Sequence, residues 1–322
     1  MTIAIPDGIH HEAYRLLKDK GYELIEANIQ DPQWASVKEK VEVLVVRSAT
    51  KVTKDLIDSL PSLKLVIRAG TGLDNIDVEY ARQKGIIVRN TPGLNARSVA
   101  ELTIAHMMTL ARWLHMANRE MPVRGHADFK QLKKEYSSGI ELAGKKLGII
   151  GAGKIGREVA KIALGLGMEV VFSRRKNEPV ELDVEIAGKR ISLSLPVVPL
   201  LELVNNSDFV SLHVPAQKEP LITRETFKHF KKGSFLINTS RGGIVDEEAL
   251  LEALDNGILS GAALDVFEGE PKPSRKILSH PRISLSPHIG ASTQDAQRKI
   301  GLKVVEIIEE FVHGWKRFEF RE

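Results

Sequence analysis

The sequence predicts an α/β chain of two doubly wound parallel-sheet units, and three observations carry that expectation. Short apolar runs alternate with amphipathic stretches through the first third of the chain, at the spacing of strands joined by helices. The same rhythm resumes after one long stretch of helical periodicity and continues almost to the end. The chain has 322 residues, 43% hydrophobic and 27% charged, which suits about two domains with buried cores.

In the first unit, residues 2–5, 22–27, 42–46, 64–68 and 86–88 read as strands, with helices at 11–20, 53–59 and 77–84. From 96 to 118 the apolar positions recur at helical spacing, with Ser98, Ala100 and Ala105 as small packing points, so a single long helix is expected. The second unit opens with a strand at 147–150 and a helix at 154–166. Strands follow at 169–173, 208–213, 234–238 and 261–266, and a final helix covers 293–313. A return near 284–287 carries the chain back toward the first unit. Residues 177–199 mix charges with an Ile-Ser-Leu-Ser-Leu alternation and receive no function.

Composition removes several classes. Lys and Arg number 46 against 42 Asp and Glu, a net +4. The two signs interleave, whereas nucleic-acid binding needs cations clustered on one face. There is no cysteine, which excludes disulfides, thiolate zinc sites and cysteine nucleophiles. The N-terminal Met1-Thr2-Ile3-Ala4-Ile5-Pro6 lacks the pattern of a signal peptide. No apolar run reaches the roughly 18 residues of a membrane span. A cytoplasmic protein without metal, nucleic-acid or membrane partners is expected.

Gly151-Ala152-Gly153-Lys154-Ile155-Gly156 lies directly between the strand ending at Ile150 and a helix. Alone this pattern is weak; inside a complete strand–helix–strand unit it reads as a dinucleotide-binding turn. Gly151 allows the tight turn, Gly153 lets backbone approach a pyrophosphate, and Gly156 permits close helix packing. The helix N-terminus then offers its N–H groups to the anion. At the end of the next strand an acidic residue would bind a ribose 2′-hydroxyl. Ser173-Arg174-Arg175-Lys176 stands there instead, which suits a 2′-phosphate and favours NADP over NAD; the alternative is a solvated basic turn. The stretch 139–146 almost spells a P-loop, but Lys146 occupies the Ser/Thr position and the motif precedes its strand, so it reads as a loop.

Three later segments place polar residues at the C-terminal ends of apolar strands, where ligands meet α/β sheets. They carry Arg241, Glu270 and His288. A histidine can exchange the hydroxyl proton, a carboxylate can orient it, and an arginine can hold a substrate carboxylate and polarise the C2 oxygen. Spacing leaves open whether the three converge. Taken singly, Arg241 reads equally as a surface ion-pair residue and His288 as a packed loop histidine.

At this level of detail the sequence resembles the D-isomer-specific 2-hydroxyacid dehydrogenases, most of all their phosphoglycerate branch, from about residue 43 to 311. The specific pieces are Val46-Arg47-Ser48-Ala49-Thr50-Lys51-Val52-Thr53, Arg68-Ala69-Gly70-Thr71-Gly72-Leu73-Asp74-Asn75, Asn90-Thr91-Pro92-Gly93 and Ser98-Val99-Ala100-Glu101-Leu102. Arg241-Gly242-Gly243-Ile244-Val245-Asp246-Glu247 and Pro287-His288-Ile289-Gly290-Ala291-Ser292-Thr293 complete them. The resemblance implies that Arg241, Glu270 and His288 are catalytic, and that Ala69, Gly70 and Thr71 grip the substrate carboxylate through backbone N–H groups. It implies that Asp265 binds the nicotinamide carboxamide, and that Thr71, Val214, Thr239, Ser240 and Ala291 line the cofactor site. Arg47 and Arg68 match positions that help hold a substrate phosphate, Lys134 adds to that charge, and Ser48 joins the substrate-binding residues.

The resemblance further implies a flavodoxin-like substrate domain of residues 1–95 plus 286–322. A Rossmann domain, 96–285, is inserted into it, and a homodimer forms through the long helix and the arm after it. Phosphoglycerate members place an aspartate where Arg174 stands, so NAD preference does not carry over. The chain ends soon after its last helix, so feedback through a C-terminal serine-sensing domain is not expected. The expected reaction is hydride transfer between a nicotinamide cofactor and 3-phosphoglycerate or phosphohydroxypyruvate, small 2-hydroxy and 2-keto acids. An NADPH-preferring glyoxylate or hydroxypyruvate reductase is the nearest alternative, and a dinucleotide-sensing corepressor-like binder the alternative of another class.

Overall fold

Apolar strands separated by helices pair in parallel, because each helix carries the chain back before the next strand begins. A computed structural model describes residues 1–319 of the chain; residues 320–322, expected at the end of the substrate domain, lie outside them. The chain divides into Met1–Asn95 together with the segment from Ala291 onward, and an inserted unit, Ala96–Gly290.

The first unit contains β1 (Thr2–Ala4), α1 (His11–Asp19), β2 (Glu23–Ile25), α2 (Trp34–Val37), β3 (Val43–Val46), α3 (Lys54–Asp58), β4 (Leu65–Arg68), α4 (Val78–Gln83) and β5 (Ile87–Asn90). Its five strands are parallel in the order β2-β1-β3-β4-β5. Both faces of the sheet are covered, which is why β3 and β4 read as unbroken apolar runs. Leu44, Val46 and Val66 pack on one side with Trp34, Leu56 and Leu60. Val43, Val45, Leu65 and Ile67 pack on the other with Ala13 and Leu17 of α1 and with Ile300, Val304 and Ile308. Those last three belong to the long C-terminal helix of this unit.

The inserted unit begins with α5 (Ala96–Ala111) and α6 (Leu114–Glu135), then β6 (Lys146–Ile150), α7 (Lys154–Gly165) and β7 (Glu169–Ser173). It continues through β8 (Val180–Ile186), β9 (Lys189–Leu195), α8 (Leu200–Asn206), β10 (Phe209–Leu212), α9 (Arg224–Phe227) and β11 (Ser234–Asn238). It closes with α10 (Glu247–Asp255), β12 (Leu259–Leu264), α11 (Arg275–Ser279) and β13 (Ile283–Leu285), after which α12 (Gln294–Glu319) returns to the first unit. Six strands form a parallel sheet in the order β13-β12-β11-β10-β6-β7. Met107 and Leu110 of α5 cover one face, where Phe209 and Phe235 stack at 4.9 Å. Leu250 and Leu254 of α10 cover the other. Among the described residues no helix is long and apolar enough to cross a membrane.

Three expectations change. The single helix over 96–118 is two helices, broken where Trp113 takes a left-handed φ of 55°. That conformation costs about 1–2 kcal/mol in a non-glycine residue, and it brings the indole to 6.0 Å from the ring of Phe235, where apolar burial offsets it. Residues 177–199 contain an antiparallel hairpin, β8 paired with β9. Ala187 and Gly188, both at positive φ, make its two-residue turn. The alternation is that of a half-buried strand: Leu193 and Leu195 join Val180 and Leu182 against the core. Beyond it, Val198 N–H donates to Phe172 O and Phe172 N–H to Pro196 O, both at 2.9 Å, which lays the chain along β7. Finally, residues 286–290, expected with the first unit, belong to the inserted one, held by hydrogen bonds to Asp265.

Candidate active site

The turn between β6 and α7 shows why each glycine is there. A Cβ on Gly151, whose φ is +104°, would lie 2.3 Å from His213 O, and one on Gly156 would lie 2.2 Å from Gly151 O. Both positions are closed by the protein itself. Gly153 is different: nothing lies within 4 Å of a Cβ built on it. It caps α7 with no side-chain hydrogen bond, so its openness serves neither packing nor capping. An anion brought against the helix N-terminus fits that bare backbone. Lys154 and Ile155 occupy the first turn of the helix, and Val214 stands just after β10, partly buried.

The basic turn after β7 is arranged unequally. Ser173 is buried, and its carbonyl accepts the Gly151 N–H at 2.9 Å. Arg174 folds back, donating to Glu178 O at 2.7 Å and to Pro179 O at 3.3 Å. Arg175 and Lys176 are exposed. The cations available to a ligand without rearrangement are therefore Arg175 and Lys176; Arg174 already braces the entry to the hairpin.

The strongest convergence is at the ends of β11, β12 and β13. His288 Nδ1 lies 2.7 Å from Glu270 Oε2, while Glu270 Oε1 accepts the Phe267 N–H at 2.9 Å. The carboxylate is thus tied to its own loop and faces the imidazole, leaving Nε2 on the far side of the ring for a ligand. His288 has φ 55°, a strained setting for a side chain of this size. Arg241 follows β11, with Nη1 donating to Ser240 O at 2.7 Å. Its loop is packed against the Glu270 loop: a Cβ on Gly242 would fall 2.0 Å from Phe267 O. Spacing left this grouping open, and the sheet resolves it by placing β11, β12 and β13 side by side.

Each loop is held from inside by a short polar residue. Asn238 accepts the N–H and hydroxyl of Ser240 at 3.0 and 2.8 Å, and donates to Arg241 O at 2.9 Å. Glu247, at the start of α10, accepts the Glu268 N–H at 2.8 Å. Burial and the charges of Glu268 and Glu270 hold its carboxyl above the usual range, against the pull of that N–H. Asp265, 1% exposed, accepts from the Ser286 hydroxyl at 2.6 Å, Ile289 N–H at 2.9 Å and Gly290 N–H at 2.8 Å. A carboxylate has about four lone-pair sites, so one is left for an outside amide. Thr239, expected beside a cofactor, has its hydroxyl 2.8 Å from that of Thr103 on α5.

Asn238 and Glu247 lie inside or beside quoted motifs, but composition gives no sign that they brace their neighbours. A polar residue closing an apolar strand, as Asn238 and Asp265 nearly do, was the available signal.

The first unit presents its own loops. Arg47 and the exposed Ser48 follow β3; Asp7 accepts the N–H of Arg47 at 2.7 Å and of Thr50 at 3.1 Å, and Asn75 donates to Arg47 O at 2.8 Å. After β4 the Arg68 side chain lies across Gly70, where a Cβ would meet Nη1 at 1.3 Å. The expected grip of Ala69, Gly70 and Thr71 is narrower than the sequence implied. Ala69 N–H donates to Val46 O and Gly70 N–H to Arg68 O, both at 2.8 Å, so two of the three amides are spent on the fold. Thr71 N–H has no such partner among the described residues; its hydroxyl joins Asn95 at 3.0 Å and receives the Gly93 N–H at 3.2 Å. Ala291 O accepts from Gln297 at 2.7 Å. In the inserted unit, Lys134 is exposed in the last turn of α6.

Comparison with known proteins agrees with this arrangement. The sequence profile described as the D-isomer specific 2-hydroxyacid dehydrogenase, NAD binding domain, matches residues 104–290. A hydroxypyruvate reductase of Thermotoga maritima is 43% identical over 313 residues, 95% of this chain and 96% of that protein. A D-3-phosphoglycerate dehydrogenase of Methanocaldococcus jannaschii is 39% identical over 317 residues, 98% of this chain but 58% of that protein. Among solved structures, the TT0316 protein from Thermus thermophilus has a TM-score of 0.82 at 31% identity, over 98% of this chain and 97% of that one.

Proposed function

The chain belongs to the D-isomer specific 2-hydroxyacid dehydrogenases, NAD-dependent enzymes acting on CH–OH donors, and we propose that its own substrate pair is 3-phosphoglycerate and phosphohydroxypyruvate. The observation that carries the chemistry is the Glu270–His288 pair, with the Arg241 loop packed beside it. In the reducing direction His288 Nε2 gives a proton to the C2 oxygen of the keto acid, and in the oxidising direction it takes the proton back. Glu270 fixes the Nδ1 side of the ring. Arg241 pairs with the substrate carboxylate and draws electron density toward the C2 oxygen. Bound reduced nicotinamide supplies the hydride. Gly153, at the open N-terminus of α7, would take the pyrophosphate, with Gly151 and Gly156 shaping the turn around it, and Asp265 has acceptor capacity for the carboxamide.

The phosphorylated substrate rests on Arg47 and Arg68, guanidinium groups at the carboxyl ends of β3 and β4, with Thr71 N–H assigned to the substrate carboxylate. NADP is favoured over NAD by Arg175, with Arg174 bracing the same turn. A second reading, a hydroxypyruvate reductase, is favoured by the Thermotoga relative, which matches over nearly its whole length; the basic turn after β7 would then serve a preference for NADPH. A homodimer through α6 fits the exposed Leu114, Met121, Val123 and Phe129 of that helix. The deciding experiment follows oxidation of NADPH and NADH with phosphohydroxypyruvate, hydroxypyruvate and glyoxylate side by side. A higher kcat/KM for the phosphorylated acid is expected. Equal or better activity on the unphosphorylated acids selects the second reading, and no turnover with any of them overturns both.

A further inference from the structure

Behind the three loops lies a histidine that the reaction does not use. His106 is on α5 and 6% exposed. Its Nδ1 is 2.9 Å from the Ser284 hydroxyl and its Nε2 is 2.9 Å from the Ser286 hydroxyl. Ser286 in turn donates to Asp265 Oδ1 at 2.6 Å, the oxygen that also receives the Ile289 N–H. Oδ2 receives the Gly290 N–H. A continuous line of hydrogen bonds therefore runs from a core helix to the residues on the chain immediately after His288.

Counting protons gives the line a direction. An ionised carboxylate only accepts, so the single Ser286 proton points to Asp265 and Ser286 Oγ must accept from His106. Neutral imidazole has one N–H; placed on Nε2 it serves Ser286 and leaves Nδ1 to accept from Ser284. One arrangement satisfies every group: Ser284 to His106, His106 to Ser286, Ser286 to Asp265. Burial holds the imidazole below its usual range, opposed by the charge of Asp265, which keeps the ring in the neutral form this pattern uses. An apolar residue at 106 would leave both hydroxyls short of a partner, and Ser286 Oγ would lose the donor that anchors it to α5 beside Asp265.

We infer that His106 is a positioning residue for His288, acting through Ser286 and Asp265 to fix the loop that holds His288 at its left-handed φ. The inference rests on the reading of His288 as the proton donor and acceptor. Its test compares His106→Leu, His106→Gln and Ser286→Ala with the wild-type chain. Two readouts are taken: steady-state kinetics, and amide hydrogen exchange at Ile289 and Gly290. Gln keeps an N–H that can reach Ser286; Leu does not. In His106→Leu we expect kcat to fall about tenfold or more with KM and dinucleotide affinity little changed, since small misplacement of a catalytic group acts on turnover. Exchange at Ile289 and Gly290 should quicken by about tenfold or more, reporting local opening. His106→Gln should recover most of both effects, and Ser286→Ala added to His106→Leu should cost little beyond either alone. Wild-type exchange rates in His106→Leu, or a His106→Gln variant no better than His106→Leu, would overturn it. A wild-type chain that reduces no keto acid defeats the dehydrogenase reading separately, and the exchange comparison still decides the clamp.

Discussion

Two regions of the inserted unit lie at the carboxyl end of one sheet but are built to opposite standards. At the ends of β11 to β13, three loops are pinned from the interior by Asn238, Glu247 and Asp265, each accepting backbone N–H groups. At the end of β7, the basic turn is tied mainly to itself: Arg174 donates to carbonyls four and five residues further on, and Arg175 is open to solvent. The difference suits the roles proposed for each. Proton transfer depends on heavy atoms held within a few tenths of an ångström. Attraction of a 2′-phosphate depends mainly on charge, which acts over several ångströms and tolerates motion.

Perturbing the pinned region should therefore cost turnover, and perturbing the open turn should change preference alone. The largest effect is expected for His288→Asn. Its kcat should fall by about 10²–10⁴, the usual contribution of a general acid–base group, with dinucleotide affinity unchanged in a fluorescence titration. Unaltered turnover would remove His288 from the reaction. Asn238→Ala comes next: it frees Ser240 and Arg241 without touching any side chain assigned to chemistry. A loss of about 10- to 100-fold in kcat/KM for the keto acid is expected, and an effect confined to thermal stability would show that the Arg241 loop needs no brace.

Smaller changes should follow at the basic turn. Arg175→Ala should lower kcat/KM with NADPH by about tenfold, the order of one charge-assisted hydrogen bond, and leave the NADH value in place. Arg174→Asp should move the ratio further toward NADH by supplying a carboxylate for the ribose hydroxyl. A ratio that neither variant moves would reduce the turn to solvated surface.

The smallest effect is on stability. Burial pushes His213 down to about 3 and lowers His106 as well. An unfolded histidine takes up its proton near pH 6.5, so the unfolded chain binds more protons below that pH. The stability these two neutral rings contribute is complete above about pH 6.5 and declines as pH falls toward their folded values. The thermal midpoint should drop between pH 6.5 and 4, and His106→Gln should flatten part of that slope. A slope identical in the variant would assign it to other groups.

Legibility in the sequence tracks the range of the forces involved. The strands of both sheets other than β13 and the turn at Gly151–Gly156 were readable because periodicity and glycine spacing are local; strand-end chemistry singled out Arg241, Glu270 and His288 but left their grouping open. The break at Trp113 was not, since helical periodicity continues through it and only the pull of the core near Phe235 explains the left-handed residue. The hairpin of β8 and β9 was visible as an alternation, yet without its tertiary partner the pattern named no element. The braces were least legible: Glu247 and the line from His106 to Asp265 join residues far apart in the chain, and nothing local marks either end. Ala69 and Gly70 misled for the opposite reason. Their motif suggested three donors, and hydrogen bonds to Val46 and Arg68 consume two.

The segment beyond that hairpin has a consequence for how the protein behaves in a crowded solution. By bonding to Phe172 on both its N–H and its carbonyl, it occupies the rim of the six-stranded sheet that would otherwise present unpaired backbone to any passing strand. At the opposite rim, β13 spans only Ile283–Leu285, too short to template much pairing. A sheet finished in this way at one margin and clipped at the other resists edge-to-edge aggregation, and trimming residues 196–198 would expose the longer margin to it.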